Sequence, residues 1–423
     1  MTPQDQLAAA DSRSRNGDVV ALVPRINIHA FCSNPGTAQA MQAAAGDRRL
    51  ARAHLDIQFG GVMAAVQVYG DSHTPNVLVV ETEGGRDAVL AELSHLANVC
   101  DPSTKVIVVG HVNDVVLYRE LIRSGVSEYL VAPLGPLHII EAIGALYANP
   151  KAGQIGRIFA FVGAKGGVGS STIAHNVGWL LSRKLLIDTV ITDLDLAFGT
   201  AGLNFNIDAA QGIAEALGQP ERVDQTLLDR LLAKAGERLS LLSAPGSIDR
   251  DHAIDKEALE HILDVVRISV PNVIVDVPNV WAPWTKATLV QADDVVVTAT
   301  PELASLRNAK NLVDFLKAAR PNDRPPRLVL NQVGIAKRPE IPVGDFTRSV
   351  GVEPSIVIPF EPQIFGTASS NGQMIAEVSA KSKPAELIEA FALDIAGRSG
   401  APPKAARRSL LPFMSRMSRS RKK

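Results

Sequence analysis

The chain has 423 residues, room for two domains, and its 46% hydrophobic and 21% charged composition suits packed cores rather than a disordered or fibrous class. A formal net charge of -1 argues against wholesale nucleic-acid affinity, and only two cysteines, Cys32 and Cys100, leave no disulfide framework and no Cys-x-x-Cys metal site. No apolar run approaches the roughly 20 residues that span a bilayer, and the polar start from Met1 to Asp18 has no signal segment, so a cytoplasmic protein is expected.

Residues 1 to about 22, rich in Ala, Asp, Ser and Arg, read as a disordered lead-in. A β/α alternation follows over residues 23–149. Strands are expected at Ile26–Phe31, Leu55–Phe59, Asn76–Glu81, Val106–Gly110 and Glu128–Val131, the last three as continuous apolar runs. Helical patterns lie at Gly36–Ala45, from Gly61, at Asp114–Arg123 and at Pro136–Ala148. Five strands alternating with helices in this span predict a doubly wound parallel sheet.

The stretch Gly125-Val-Ser-Glu-Tyr-Leu-Val-Ala-Pro133 resembles a response-regulator receiver domain. By that resemblance the phospho-acceptor aspartate aligns with Glu81, the acidic pair after the first strand with Cys32-Ser33, and the lysine before the proline with Ala132. A longer carboxylate without its magnesium-binding acids or its lysine is not expected to run phosphoryl transfer. Glu81 then either mimics a permanently charged state or is an unreactive sheet-edge acid, and the domain is expected to serve docking or dimerisation.

Asn149 to Gly156 reads as a Pro/Gly linker, and a second unit over residues 157–398 opens with a phosphate loop. The apolar run Ile158–Val162 leads into Gly163-Ala-Lys-Gly-Gly-Val-Gly-Ser-Ser-Thr172, with a helix from about Ser171. Main-chain N–H groups at such a turn, together with the positive helix end, cradle phosphate, and glycine lets the backbone approach it. Gly166, Gly167, Val168, Gly169, Ser170, Ser171 and Thr172 are therefore the candidate nucleotide-binding residues, and a glycine-rich turn without ligand is the alternative. Against the pattern G-x-x-x-x-G-K-[ST], Ala164 stands at the first glycine, Ser170 at the phosphate-gripping lysine and Ser171 at the magnesium-binding hydroxyl. The earlier Lys165 resembles the deviant Walker A motif of the ParA/MinD superfamily, which implies a P-loop domain with a mainly parallel sheet, ATP and Mg2+ as cofactors, and a homodimer. In it Lys165 would reach the partner's nucleotide. With Ser170 in place of lysine, hydrolysis is expected to be slow at most.

His175 and Trp179, in the following helix, are expected to be packing residues. A strand over Leu185–Thr192 should end at Asp193-Leu-Asp195, whose alternate carboxylates point the same way and could order magnesium and the attacking water. Either aspartate could instead cap a turn. By resemblance to switch I of the superfamily, Asp195 would orient the water. Helices are expected at Gly212–Leu217, Val223–Lys234 and His252–Val266, with a strand at Leu239–Leu242. Asn272–Val277 is a buried strand carrying Asp276, which resembles a Walker B element and implies that Asp276 serves the magnesium shell. Asp293–Thr300 should be a core strand with Pro301 opening a helix at its first position. Asn331 ends the strand Arg327–Asn331; it contacts adenine by resemblance, or is simply a turn residue.

Asn331 to Ile341, Phe365 to Ile375 and the Asp-Leu-Asp-Leu-Ala-Phe-Gly-Thr block resemble the CpaE/TadZ pilus-assembly proteins over roughly residues 25–395. That implies a factor positioning the Flp (Tad) pilus secretion machinery, usually at a cell pole. A scaffold that binds no nucleotide and a DNA-partitioning ATPase are the alternatives. An iron-protein reductase is disfavoured because both cysteines precede the second unit. The tail over residues 399–423 holds Lys404, Arg407, Arg408, Arg416, Arg419, Arg421, Lys422 and Lys423 with interleaved apolar residues, which suits an anionic membrane surface or a solvated tail.

Overall fold

The computed structural model describes residues 23–147, 155–208, 211–245 and 253–398; the expected lead-in, most of the linker and the basic tail lie outside the described residues. Parallel strands covered on both faces must be apolar along their length, and the short runs become strands for that reason. In the first unit β1 (Asn27–Cys32), β2 (His54–Phe59), β3 (Val77–Glu81), β4 (Lys105–Gly110) and β5 (Glu128–Val131) pair in parallel in the order β2-β1-β3-β4-β5. That order belongs to doubly wound sheets, whose strand reversal gathers the loops after β1 and β3 at one end. Glu81 therefore ends the middle strand, not a sheet edge. The helix Arg86–Ala97, which sequence pattern did not locate, buries only Val89 and Leu96 and so carries little periodic signal.

The second unit contains β6 (Arg157–Gly163), β7 (Thr189–Asp193), β8 (Ala233–Lys234), β9 (Leu239–Leu242), β10 (Asn272–Val277), β11 (Asp294–Ala299), β12 (Arg327–Val333) and β13 (Pro354–Pro359). They form one sheet in the order β13-β12-β11-β6-β10-β7-β9-β8, in which the β8–β9 pair is antiparallel and the other pairs are parallel. The fold class is thus a doubly wound α/β unit followed by a P-loop unit with a mainly parallel sheet. Alternation along β6 sends Phe159 and Phe161 to one face, under the helix Ser170–Arg183, and Ile158, Ala160 and Val162 to the other.

Three boundaries depart from expectation. Leu185 and Ile187 donate to Leu180 and Leu181, so this segment closes the preceding helix and β7 begins only at Thr189. Val223–Lys234 is a helix only at Gln225–Leu231, because Ala233 and Lys234 pair with β9 as a two-residue edge strand. Pro301 stands ahead of its helix, which starts at Leu303 with Glu302 as its cap. The two units meet through ion pairs: Asp323 takes Arg48 at 2.7 Å and also Arg49, while Arg52 reaches Asp264 at 2.6 Å.

Candidate functional site

The loop between β6 and the helix Ser170–Arg183 is held from outside by four side-chain amides. Asn279 Nδ2 donates to the Gly163 carbonyl (2.7 Å), Asn308 Nδ2 to Ala164 (2.9 Å), Gln332 Nε2 to Gly167 (2.9 Å) and Asn331 Nδ2 to Val168 (2.9 Å). With its carbonyls tied outward, the N–H groups of Lys165, Gly166, Gly167 and Gly169 donate to no acceptor among the described residues. Gly167 (φ 77°) and Gly169 (φ 88°) take the left-handed conformation this path requires. A Cβ on Gly169 would stand 2.6 Å from Asn331 Nδ2. The Ser170 hydroxyl, at the position of the missing lysine, is buried without a partner.

These N–H groups open on a cavity of about 570 Å³ lined by the loop, Ser171, Thr172 and Asp195, and on its far side by Pro359, Phe360, Pro362 and Phe365. The lining thus pairs a donor-rich floor, fit for phosphates, with an apolar and aromatic wall, fit for a base. Among the described residues, Lys165 is the one lysine or arginine in that lining. Its ammonium lies 3.1 Å from Glu302, which also pairs with Arg338 at 3.1 Å.

Asp193 and Asp276 face each other in register on the adjacent strands β7 and β10. Both turn toward the helix above, whose His175 is fully buried with Nε2 3.4 Å from Asp276 Oδ2. Asp193 accepts from the N–H groups of Asp195 (3.1 Å) and Ala201 (3.0 Å). Burial, and then the charge of Asp276, push its carboxyl up to about 6 against the pull of His175 and those N–H groups. The two aspartates expected to act side by side are separated. Asp193 lies in this buried group, whereas Asp195 is beyond the strand end, caps a turn by accepting from Phe198 N (3.0 Å), and lines the cavity.

Asn331 is more than a turn residue, because it braces the loop and also lines the cavity. Its amide nitrogen holds Val168, its oxygen accepts from Gln332 N (2.9 Å), and the residue is 4% exposed. Sequence reasoning missed Asn279, Asn308 and Gln332, which come from distant segments, and set His175 aside as packing. In the first unit the Glu81 carboxylate accepts from Ser33 N (2.7 Å), Asn34 N (2.9 Å) and the Thr37 hydroxyl (2.7 Å). The acid is bound at the start of the helix Pro35–Ala45, and no lysine or second acid joins that contact among the described residues.

No protein-family model matches the chain. Septum site-determining protein MinD of Bacillus subtilis is 27% identical over 190 residues, 42% of this chain and 66% of its own length. The chain spans about three fifths to two thirds of the length of this and two further MinD relatives, those of Synechocystis and Guillardia theta. A crystal structure of a ParA family ATPase from Chlorobium tepidum is 26% identical, with a TM-score of 0.52, over 56% of this chain and 98% of that one. A pilus assembly protein CpaE from Caulobacter crescentus is 54% identical over 30% of this chain and 98% of that one; its TM-score is 0.30, so the sequence identity, not the superposition, carries the relationship. That identity, over nearly the whole of the solved chain, shows that this protein belongs to the CpaE pilus assembly proteins, with a second unit folded like the ParA/MinD ATPases.

Proposed function

We propose that the protein is an ATP-binding homodimer that positions the Flp (Tad) pilus secretion machinery, at a cell pole, with slow or absent hydrolysis. The observation that carries this reading is the loop whose carbonyls are tied by four amides while its N–H groups face a cavity without internal acceptors. Several main-chain N–H groups converging at a glycine loop before a helix form a concave site that favours an anion over water. The N–H groups of Gly166 to Thr172 would hold the phosphates, with Pro359, Phe360 and Phe365 against the base. Magnesium would be held by the Ser171 hydroxyl beside the phosphates, whose charge it neutralises when bound; Asp276 and Asp193, turned toward His175, would serve its outer shell through water only. Asp195, on the cavity wall, would orient water. Lys165 would leave Glu302 to reach a second copy's nucleotide.

Loss of the loop lysine removes a charge that stabilises the transferring phosphoryl group, which supports binding without fast turnover. The first unit, whose Glu81 is fully engaged, supports a docking role rather than phosphotransfer. The test is the oligomeric state of the full chain with and without Mg·ATP, in the native protein and in Lys165→Ala. A dimer formed only with nucleotide, and lost in the variant, is expected. No saturable ATP binding up to millimolar concentration would leave a scaffold that binds no nucleotide, and turnover at the rate of active P-loop ATPases would overturn the landmark reading. Salt-sensitive DNA binding would favour partitioning instead.

A further inference from the structure

We propose that His175, Asp193 and Asp276 form a binding site for a divalent transition ion of the manganese-to-zinc class, held directly by His175 Nε2 and one oxygen of each carboxylate. One ligand atom from each residue lies within 4.8 Å of the others, and all three residues are buried. In a tetrahedral site with bonds near 2.0–2.1 Å, neighbouring ligands stand about 3.4 Å apart. The His175–Asp276 edge already has that spacing, at 3.4 Å. The other edges would close by no more than about 1.5 Å, within the reach of a carboxylate torsion.

Two features beyond the acids point to an ion. His175 Nε2 is buried and has no hydrogen-bond partner, an uncommon state for a ring nitrogen 0% exposed. Its other nitrogen, Nδ1, is 2.9 Å from the side-chain amide of Asn204, which also reaches the Thr200 hydroxyl at 3.2 Å. As placed, the amide nitrogen faces Nδ1; the ligating tautomer, with its lone pair on Nε2 toward the carboxylates, requires the amide to turn and present its oxygen, the arrangement by which ligating histidines are oriented. Two carboxylates in register on neighbouring buried strands repel, and a dication balances both. Imidazole among the donors favours transition ions over magnesium, which prefers oxygen and water. His175 also lines the cavity, which gives the ion its entrance.

The cluster is complete without nucleotide, so metal alone is the probe, and failure here is distinguishable from failure of the ATP reading. Full-length protein stripped with chelator is titrated with Co2+ in the absence of nucleotide, with the visible absorption of the bound ion and competition by Zn2+ and Mg2+ as readouts. One Co2+ per chain is expected, displaced by Zn2+ and bound at least about 100-fold more tightly than Mg2+. His175→Gln should change the spectrum and weaken binding. Should that variant not fold, Asn204→Ala decides, since loss of an orienting partner costs roughly 10–100-fold in metal affinity. Co2+ bound no better than Mg2+, or equally well in folded variants, would mean that the histidine only fills space beside the aspartates and would overturn the site.

Discussion

Replacing Gly169 with alanine puts a methyl group on a left-handed residue (φ 88°, ψ 24°) and 2.6 Å from the Asn331 amide nitrogen. The backbone term costs about 1–2 kcal/mol. The contact is closer than carbon and nitrogen tolerate, so the amide must move and release the Val168 carbonyl it holds at 2.9 Å. Because Asn331 is buried, the broken bond leaves donor and acceptor unsatisfied, at about 1–3 kcal/mol. Gly169→Ala should therefore destabilise by roughly 2–5 kcal/mol. Asn331→Ala removes the obstruction, so in its background the glycine change should cost only the backbone term. The cycle should then show a coupling of about 1–3 kcal/mol. Urea unfolding followed by tryptophan fluorescence is a suitable assay, because Trp179, Trp281 and Trp284 all lie in the second unit. Costs that add to within about 0.5 kcal/mol would refute the account of how the loop is held. Affinity for Mg·ATP should fall with the single variant and recover in part in the double one.

Ser170→Lys restores the absent ammonium where a buried hydroxyl has no partner, and a charge-assisted bond of about 1.5–3 kcal/mol should tighten Mg·ATP roughly 10- to 150-fold by titration; no gain would place the phosphates elsewhere. Burial alone would raise the Asp323 carboxyl, but Arg48, Arg320 and Arg49 outweigh it and hold it below the ordinary carboxylate range. A depressed carboxyl contributes stability above its unfolded pKa and loses it as pH falls through the folded one, so this junction should weaken only in acid. Asp323→Asn should lower stability by about 3 kcal/mol in calorimetry at neutral pH, since Arg320, 5% exposed, loses its partner. Asp193 has the opposite sign. Its carboxyl is raised from 3.8 to about 6, so its contribution is full below the unfolded pKa and is lost as pH rises through 6. Metal-free protein should thus lose on the order of 3 kcal/mol from this group between about pH 4 and 7, and a bound dication should flatten that slope in thermal melts.

The strands were legible because a buried parallel strand is an apolar run whatever its partners, as Val77–Glu81 and Asn272–Val277 are. Local rules failed where a neighbour decided the outcome. Leu185–Ile187 has strand composition, yet the free carbonyls of Leu180 and Leu181 draw it into a helix end. Ala233–Lys234 becomes a strand only because β9 offers an open edge. Lys165 to Ser171 could be placed on the loop from spacing alone, whereas the amides that shape it come from Asn279, Asn308, Asn331 and Gln332, more than 100 residues downstream. Nothing in the neighbourhood of an asparagine says that it will meet a carbonyl so far back in the chain. His175 was hidden for the related reason that its partners, Asp193 and Asp276, converge only through sheet register.

The two units pose the same structural question and answer it differently. Each ends a central strand near the amino terminus of a helix, where main-chain N–H groups need an acceptor. In the first unit the chain supplies its own anion: Glu81, from β3, takes the N–H groups of Ser33 and Asn34 and the Thr37 hydroxyl, and with 1% exposure it leaves no room for another. In the second unit the equivalent N–H groups have no internal acceptor, the nearby carboxylates Asp193 and Asp276 are turned toward His175, and Asp195 is occupied by Phe198. Four amides hold the loop in a shape that leaves those donors open. A fold that fills one such site from within and braces the other open supports the proposed phosphate site at the second alone.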